Sequence, residues 1–109
     1  MTWQGDVVSL VEAFRRGERS PVDEAAATLA AIEASDLNAF SFVDAGGVME
    51  RAAAADVSLP LGGVPIGVKE LHQVAGWPDT YASLLFAERY ADHDTTMVAR
   101  LRAAGANLV

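Results

Sequence analysis

The sequence predicts an α/β fold in which N-terminal helices pack on the start of a mixed β-sheet. Hydrophobic residues make up 51% of the 109 positions, which is enough to build a core. Segments with helical periodicity come first, and short strand-like segments bounded by glycine and proline follow them. The length suits one domain or part of one. We therefore assign residues 1–109 to a single domain and expect no second domain.

The predicted helices are defined by apolar spacing and by capping residues. Residues 5–17 place apolar side chains at i, i+3, i+4 and i+7, which is one face of a helix. Residues 20–35 begin with Ser-Pro-Val-Asp, an arrangement typical of a capping box with proline at the first helical position. An alanine-rich third helix is predicted over residues 48–56. A fourth begins near Asp94 and ends at Gly105.

Three segments have the pattern of β-strands. Residues 38–43 alternate apolar and polar side chains, which predicts a half-buried strand. Residues 64–69 form a short apolar strand after a turn rich in glycine and proline. Pro65 has no N–H group, so it should lie at the start or edge of that strand. Residues 106–109 look like the opening of another strand, and we interpret the chain as a portion of a larger protein.

Composition excludes several classes of function. The net charge of -7 disfavours direct nucleic-acid binding, which needs a basic face. The chain has no cysteine, so disulfides, thiolate metal sites and cysteine nucleophiles are excluded. It has no apolar run of the roughly 18 residues that span a bilayer and no visible targeting signal. We expect a cytoplasmic protein that does not enter a membrane.

Lys69 is the only lysine of the chain, and it ends the predicted apolar strand. A lysine is normally a surface residue, because burial of its ammonium group is costly. In an extended strand, Gly67 and Lys69 would share one face, while Ile66 and Val68 would share the other. Gly67 would then leave room for a catalytic partner beside the amine. From spacing alone, a general base and a lysine that extends its amine to solvent both remain open.

Other polar residues have simpler explanations. His72 and His93 lack a metal-ligand spacing, so we assign them to loop hydrogen bonding. Turn or N-cap roles explain the carboxylates of Asp79, Asp92 and Asp94. We expect the aromatic side chains of Trp77 and Tyr81 either to pack in the fold or to border a substrate entrance. The Gly-Gly pair before the predicted strand lacks the spacing of a phosphate-binding loop.

The segment Leu-Gly-Gly-Val-Pro-Ile-Gly-Val-Lys-Glu, residues 61–70, resembles the segment around the catalytic lysine of amidase signature enzymes. The resemblance continues in the Gly-x-Pro-x-Thr stretch of residues 76–80. It also includes the helix that ends in Arg-Leu-Arg-Ala-Ala-Gly-Ala at residues 100–106. The N-terminal helices and the Leu-Asn-Ala-Phe stretch match the start of that family. Residues 1–109 would then be the N-terminal part of an incomplete amidase domain.

The resemblance implies an amide hydrolase with a Ser–cis-Ser–Lys triad, in which Lys69 is the general base. A nucleophilic serine would attack the amide carbonyl, and a bridging serine would pass the proton to the lysine. Both serines and the Gly/Ser-rich oxyanion loop are expected beyond Val109, so these 109 residues alone should be inactive. Ser83 follows Ala82 instead of lying in a Gly-Ser-Ser context, which disfavours it as nucleophile. The resemblance implies neither a cofactor nor a metal.

Two departures from the family pattern affect the expected pocket. Glu70 stands where aspartate is commoner, and it keeps the charge. Tyr81-Ala82 stands where Thr-x-Gly-Ser is usual, which leaves the amide substrate open. The expected partners are a small amide, the remainder of the amidase domain and a second copy in a homo-oligomer. Two alternatives remain, namely a non-catalytic fragment or interaction subunit, and the amidase-like subunit of a glutamine-dependent amidotransferase.

Overall fold

The computed structural model describes all 109 residues and confirms the α/β class. Helices and two short strands follow one another along the chain. The elements are α1 (Val7–Arg16), α2 (Pro21–Ala34), α3 (Ala45–Ala53), β1 (Pro65–Ile66), a 3-10 helix (Leu84–Phe86), α4 (Thr96–Ala103) and β2 (Asn107–Leu108). None of the helices combines the length and apolarity that a membrane crossing requires.

The capping residues set the ends of α1 and α2 as the sequence predicts. The backbone N–H of Asp23 donates to Ser20 Oγ at 3.0 Å, and the N–H of Ser20 donates to Asp23 Oδ2 at 3.4 Å. This reciprocal pair is the expected capping box at the start of α2. Gly17 ends α1 with a φ of 71°, in the left-handed region that glycine adopts without strain.

The prediction of a strand over residues 38–43 is wrong. This segment is irregular in the structure, and Asn38 takes a φ of 51°. A strand needs a neighbouring backbone to pair with, and the alternating pattern alone does not supply one. The following helix also starts earlier than predicted, at Ala45, because the side chain of Asp44 caps it by accepting from Gly47 N–H at 3.1 Å.

The two strands pair in parallel, with Pro65 opposite Asn107. The N–H of Asn107 donates to Val64 O at 2.8 Å, and the N–H of Val109 donates to Ile66 O at 3.0 Å. Pro65 is the first residue of β1, as its missing N–H group predicts. The predicted strand over residues 64–69 is therefore only two residues long in the structure.

The core consists of three small apolar clusters around this strand pair. The first joins α1 to Val64, the second joins α2, α3 and Val109, and the third contains Leu108. The neighbours Leu108 and Val109 thus belong to different clusters, since successive residues of a strand point to opposite faces. The pair is apolar on both sides, which is typical of parallel sheets.

The Gly62-Gly63 turn packs closely against the end of α4. Gly63 N–H donates to Gly105 O at 2.9 Å, and Gly63 has a φ of 83°. A Cβ atom on Gly62 would lie 2.0 Å from the backbone oxygen of Asp56. The glycine pair therefore has a packing role, which places the lysine segment beside β2.

A buried polar network connects α3 to β2. Asn107 is almost fully buried, and its Nδ2 donates to Val48 O at 2.9 Å. Arg51 donates to Asn107 Oδ1 at 3.1 Å and to Leu108 O at 2.9 Å. Burial lowers the pKa of Arg51, since it disfavours the charged form. The network satisfies polar groups in an otherwise apolar interface.

Candidate active site

Lys69 lies three residues after β1, on the border of a cleft of about 470 Å³. Its side chain is exposed, and it takes part in no ion pair. The predicted strand therefore does not reach Lys69, and the side chain of Lys69 is exposed to solvent in these residues. The strand ends at Ile66, and the chain turns at Glu70. Nothing in the described chain removes water from the amine.

The cleft is formed by three segments of chain and by Val109. Residues 39–42 form one wall, residues 67–70 carry Lys69, and the third segment contributes residues between His72 and Pro78. The first wall is the segment that the sequence predicted as a strand. The ring of Phe42 lies 5.4 Å from that of Trp77, centroid to centroid, with a tilt of 60°. The wall is therefore held by an aromatic contact in place of backbone pairing.

The alternation predicted around Lys69 is confirmed for the inward side. Ile66 and Val68 both pack against the third core cluster. On the other side, Gly67 is exposed and lines the cleft beside Lys69. A Cβ atom on Gly67 would be 3.6 Å from Cζ of Phe40, which is an ordinary van der Waals contact. Phe40 is therefore the nearest side chain on this face, and room for a catalytic partner beside the amine stays a prediction.

Glu70 anchors the chain immediately after the lysine. Its Oε1 accepts hydrogen bonds from the backbone N–H of Thr80, at 3.2 Å, and from the Thr80 hydroxyl. Hydrogen bonds to an ionised carboxylate are stronger than those between neutral groups. The glutamate that stands in place of the commoner aspartate thus holds Thr80 in position.

Asp79 has a different role from the predicted turn residue. It is buried, and its Oδ2 lies 3.0 Å from the guanidinium of Arg89 and 2.9 Å from Nε2 of Gln73. Arg89 lies over the ring of Tyr81 at 5.0 Å from the centroid. Tyr81 therefore packs on a cation and does not line the Lys69 cleft, whereas Trp77 does.

Both histidines lie in exposed positions. His72 lines the Lys69 cleft. His93 Nδ1 lies 2.6 Å from Asp92 Oδ1, and this hydrogen bond lowers the pKa of Asp92. Asp94 accepts from Ala75 N–H at 2.8 Å and pairs with an arginine of α4 at the same distance. Thr95 is the residue that caps α4.

The serines of the chain are not arranged as a catalytic pair around Lys69. Ser83 caps the 3-10 helix by accepting from Leu85 N–H at 3.3 Å, and it does not line the cleft. Ser41 does line the cleft, and sequence reasoning missed it. Its position between two aromatic residues on the predicted strand was the only available signal. No hydrogen bond joins Ser41 to Lys69.

The family model described as Amidase matches residues 24–109, which include Lys69 and most of the chain. The chain belongs to the amidase family. This result confirms the resemblance drawn from residues 61–70 and from the final helix.

Curated relatives of this amidase-family chain include two glutamyl-tRNA(Gln) amidotransferase A subunits. The protein from Akkermansia muciniphila is 38% identical over 103 residues, which is 94% of this chain and 22% of the relative. The protein from Bordetella avium is 37% identical over 109 aligned residues, covering 94% of this chain and 21% of the relative. The chain thus spans about a fifth of the length of these relatives.

Solved structures share the fold of this chain. One is described as a vestigial protein complex that reveals the origins of an s-triazine catabolic enzyme. It is 32% identical, with a TM-score of 0.87, over 95% of this chain and 25% of its own. Another, 6-aminohexanoate cyclic dimer hydrolase with its substrate, is 29% identical with a TM-score of 0.87, over 96% of this chain and 22% of its own. The arrangement of helices and strands is therefore shared with larger amidase-fold enzymes.

Proposed function

We propose that this chain is the N-terminal part of an amidase domain and that Lys69 is the general base of its amide hydrolysis. The proposal rests on the position of Lys69, the only lysine, on the border of the cleft between residues 39–42 and 67–70. The amidase-family match includes this whole segment. The substrate would be a carboxamide, which is cleaved to a carboxylate and ammonia or an amine.

In the proposed reaction, a serine oxygen attacks the amide carbon while its proton passes through a second serine to Lys69 Nζ. The protonated lysine then returns the proton, along the same path, to the departing nitrogen. Water hydrolyses the resulting ester and regenerates the serine. Backbone N–H groups stabilise the oxyanion in both steps. The chemistry needs no organic cofactor in this scheme.

The serines and the oxyanion loop are assigned to polypeptide outside these 109 residues. Ser83 is engaged in a helix cap, and Ser41 has no hydrogen bond to Lys69. In this proposal the exposed amine also needs a cover, because exclusion of water favours the neutral form of a lysine. We therefore expect the 109 residues alone to release no ammonia from amides. In this proposal, the polypeptide that completes the domain supplies both the alcohols and the cover.

The test uses a chimera in which this chain replaces the matching part of the Akkermansia muciniphila relative. Ammonia release from acetamide, benzamide and L-glutamine is measured for the chimera, for the isolated chain and for Lys69 variants. Lys69→Met should lower turnover by about 10²- to 10⁴-fold, the usual contribution of a general base. Lys69→Arg should fail equally, because arginine keeps the charge and cannot act as a base near neutral pH.

Arg100→Ala, which removes an exposed cation of α4, is the matched control and should leave turnover unchanged. Rescue by Lys69→Arg would contradict the general-base role and favour a purely electrostatic one. Near-wild-type turnover of Lys69→Met would refute any catalytic role. Circular dichroism of each variant separates loss of chemistry from loss of fold.

A second candidate function is the amidase subunit of a glutamine-dependent amidotransferase. The names of the Akkermansia and Bordetella relatives favour it. Such a protein would release ammonia from glutamine in a complex, and its partners would supply the basic surface for tRNA that a net charge of -7 does not offer. Glutamine hydrolysis that rises on adding glutamyl-tRNA and partner subunits would support this role. Hydrolysis of acetamide or benzamide without partners would favour the amidase, and either activity fits the expected cytoplasmic location.

A further inference from the structure

The loop over residues 79–90 presents two leucine side chains to solvent. Leu84 is 96% exposed and Leu85 is 90% exposed. We name this segment the leucine loop. Two adjacent leucines with almost all of their apolar surface in water are costly to keep, at about 25 cal/mol for each Å² of apolar area. Two adjacent exposed apolar side chains make this loop a candidate interaction surface.

The base of the leucine loop is fixed by backbone hydrogen bonds. Asp79 N–H donates to Arg89 O at 3.0 Å, and Ala91 N–H donates to Trp77 O at 2.9 Å. Pro78 and Tyr90 form an antiparallel bridge between the two sides. The loop therefore has the base of a hairpin, although its tip is a 3-10 turn.

Side chains inside the leucine loop hold its tip in one shape. The guanidinium of Arg89 is 3.0 Å from the buried Asp79 carboxylate and lies 5.0 and 5.5 Å from the ring centroids of Tyr81 and Phe86. The two rings meet edge to face at 6.3 Å. A tip held by an ion pair to a buried carboxylate and by rings in edge-to-face contact is already organised, so docking would cost little conformational entropy.

We propose that the leucine loop is a docking element for the polypeptide that completes the amidase domain. This inference rests on the proposed function, in which that polypeptide carries the catalytic serines. Two related structures match 95% and 96% of this chain. The unmatched residues are fewer than the residues of the leucine loop, so the matched part includes at least part of the loop. The matched part is only 25% and 22% of those chains. The loop is thus part of a shared fold that, in both relatives, belongs to a much longer chain.

Charge argues against a second copy of this chain as the occupant. Each copy carries a net charge of -7, and like net charges oppose close association. An apolar pocket with a basic rim, on a different polypeptide, fits the loop better.

The test uses the absence of cysteine from the chain, which makes an introduced thiol unique within it. Leu85→Cys places the thiol on the leucine loop, and Ala30→Cys places a control thiol on the exposed face of α2. Maleimide labelling rates at both positions are read by peptide-resolved mass spectrometry. They are measured in the isolated chain and in the chimera with the Akkermansia relative. A second arm co-expresses the chain with that relative lacking its matching part.

The expected result is fast labelling at both positions in the isolated chain. In the chimera or the co-expressed pair, labelling at position 85 should fall at least about tenfold, which is a difference of about 1.4 kcal/mol in accessibility. Position 30 should be unaffected. Equal labelling at position 85 with and without the completing polypeptide overturns the proposal.

Protection of position 85 in the isolated chain that grows with its concentration also overturns it, in favour of a second copy. The readout does not depend on amide hydrolysis. If labelling at position 85 falls in the chimera but Lys69→Met leaves turnover unchanged, the catalytic proposal is refuted and the docking proposal is supported.

Discussion

Glu70 accepts hydrogen bonds from both the backbone N–H and the hydroxyl of Thr80, ten residues further along the chain. Glu70 directly follows Lys69 in the chain, and Thr80 lies at the start of the leucine loop. The side chain of Glu70 therefore connects the proposed base to the proposed docking element.

Removal of the Thr80 hydroxyl should loosen this connection. Thr80→Val keeps the volume and deletes two hydrogen bonds of the hydroxyl, the one donated to the Glu70 carboxylate and the one accepted from Ala82 N–H at 3.2 Å. We therefore expect the free energy of unfolding to fall by about 1–3 kcal/mol. Amide hydrogen exchange should accelerate in residues 80–90 more than elsewhere. Thr28→Val in α2 is the matched control. Unchanged exchange in the loop, with stability equal to wild type, would mean that the contact with Glu70 has no energetic weight.

Ala82 is in the left-handed region, with a φ of 54°, at a position where the family pattern has glycine. A residue with a Cβ atom is strained there by roughly 1–2 kcal/mol, whereas glycine is not. Ala82→Gly should therefore raise the free energy of unfolding by about 1 kcal/mol. The same substitution at an exposed position inside α2, Ala30→Gly, should lower it by about 1 kcal/mol. Urea unfolding checks both, and two changes of the same sign would contradict the strain argument.

Stability should fall in acid because several caps depend on ionised carboxylates. Hydrogen bonds from Ser9 lower the pKa of Asp6, and hydrogen bonds with Ser20 lower that of Asp23, in each case below 3.8. A carboxyl whose pKa is lower in the folded state stabilises the fold above its unfolded value, and this contribution is lost as the pH falls through the folded value. We therefore expect constant stability from these groups above about pH 5 and a decline below about pH 4.

Urea unfolding at several pH values measures this decline. Asp23→Asn keeps a polar side chain at the third position of α2 and cannot ionise, so its stability should depend less on pH between 5 and 3. A wild-type urea midpoint that stays constant down to pH 3 would show that the carboxylates of Asp6 and Asp23 do not contribute to stability in this way. Because Asp6 and Asp23 are solvent-exposed, the effect should also weaken in high salt.

Local signals in the sequence determined most of the helical part of the fold. The capping box of Ser20 and Asp23 and the stop at Gly17 act within one turn of helix, so their effect can be read without knowing any neighbour. The family resemblance is local as well, since it rests on a short run around Lys69. Because these signals are local, the sequence also located the candidate base, Lys69, and the strand that follows Gly105.

Tertiary contacts decided the rest. The alternation of residues 38–43 is compatible with a strand, but strand formation requires a paired backbone, and Phe40 and Phe42 instead pack over Gly67 and Trp77. The exposure of Lys69 also depends on what lies across the cleft. Pairing, burial and solvation are properties of two surfaces that meet, and one stretch of sequence specifies only its own surface.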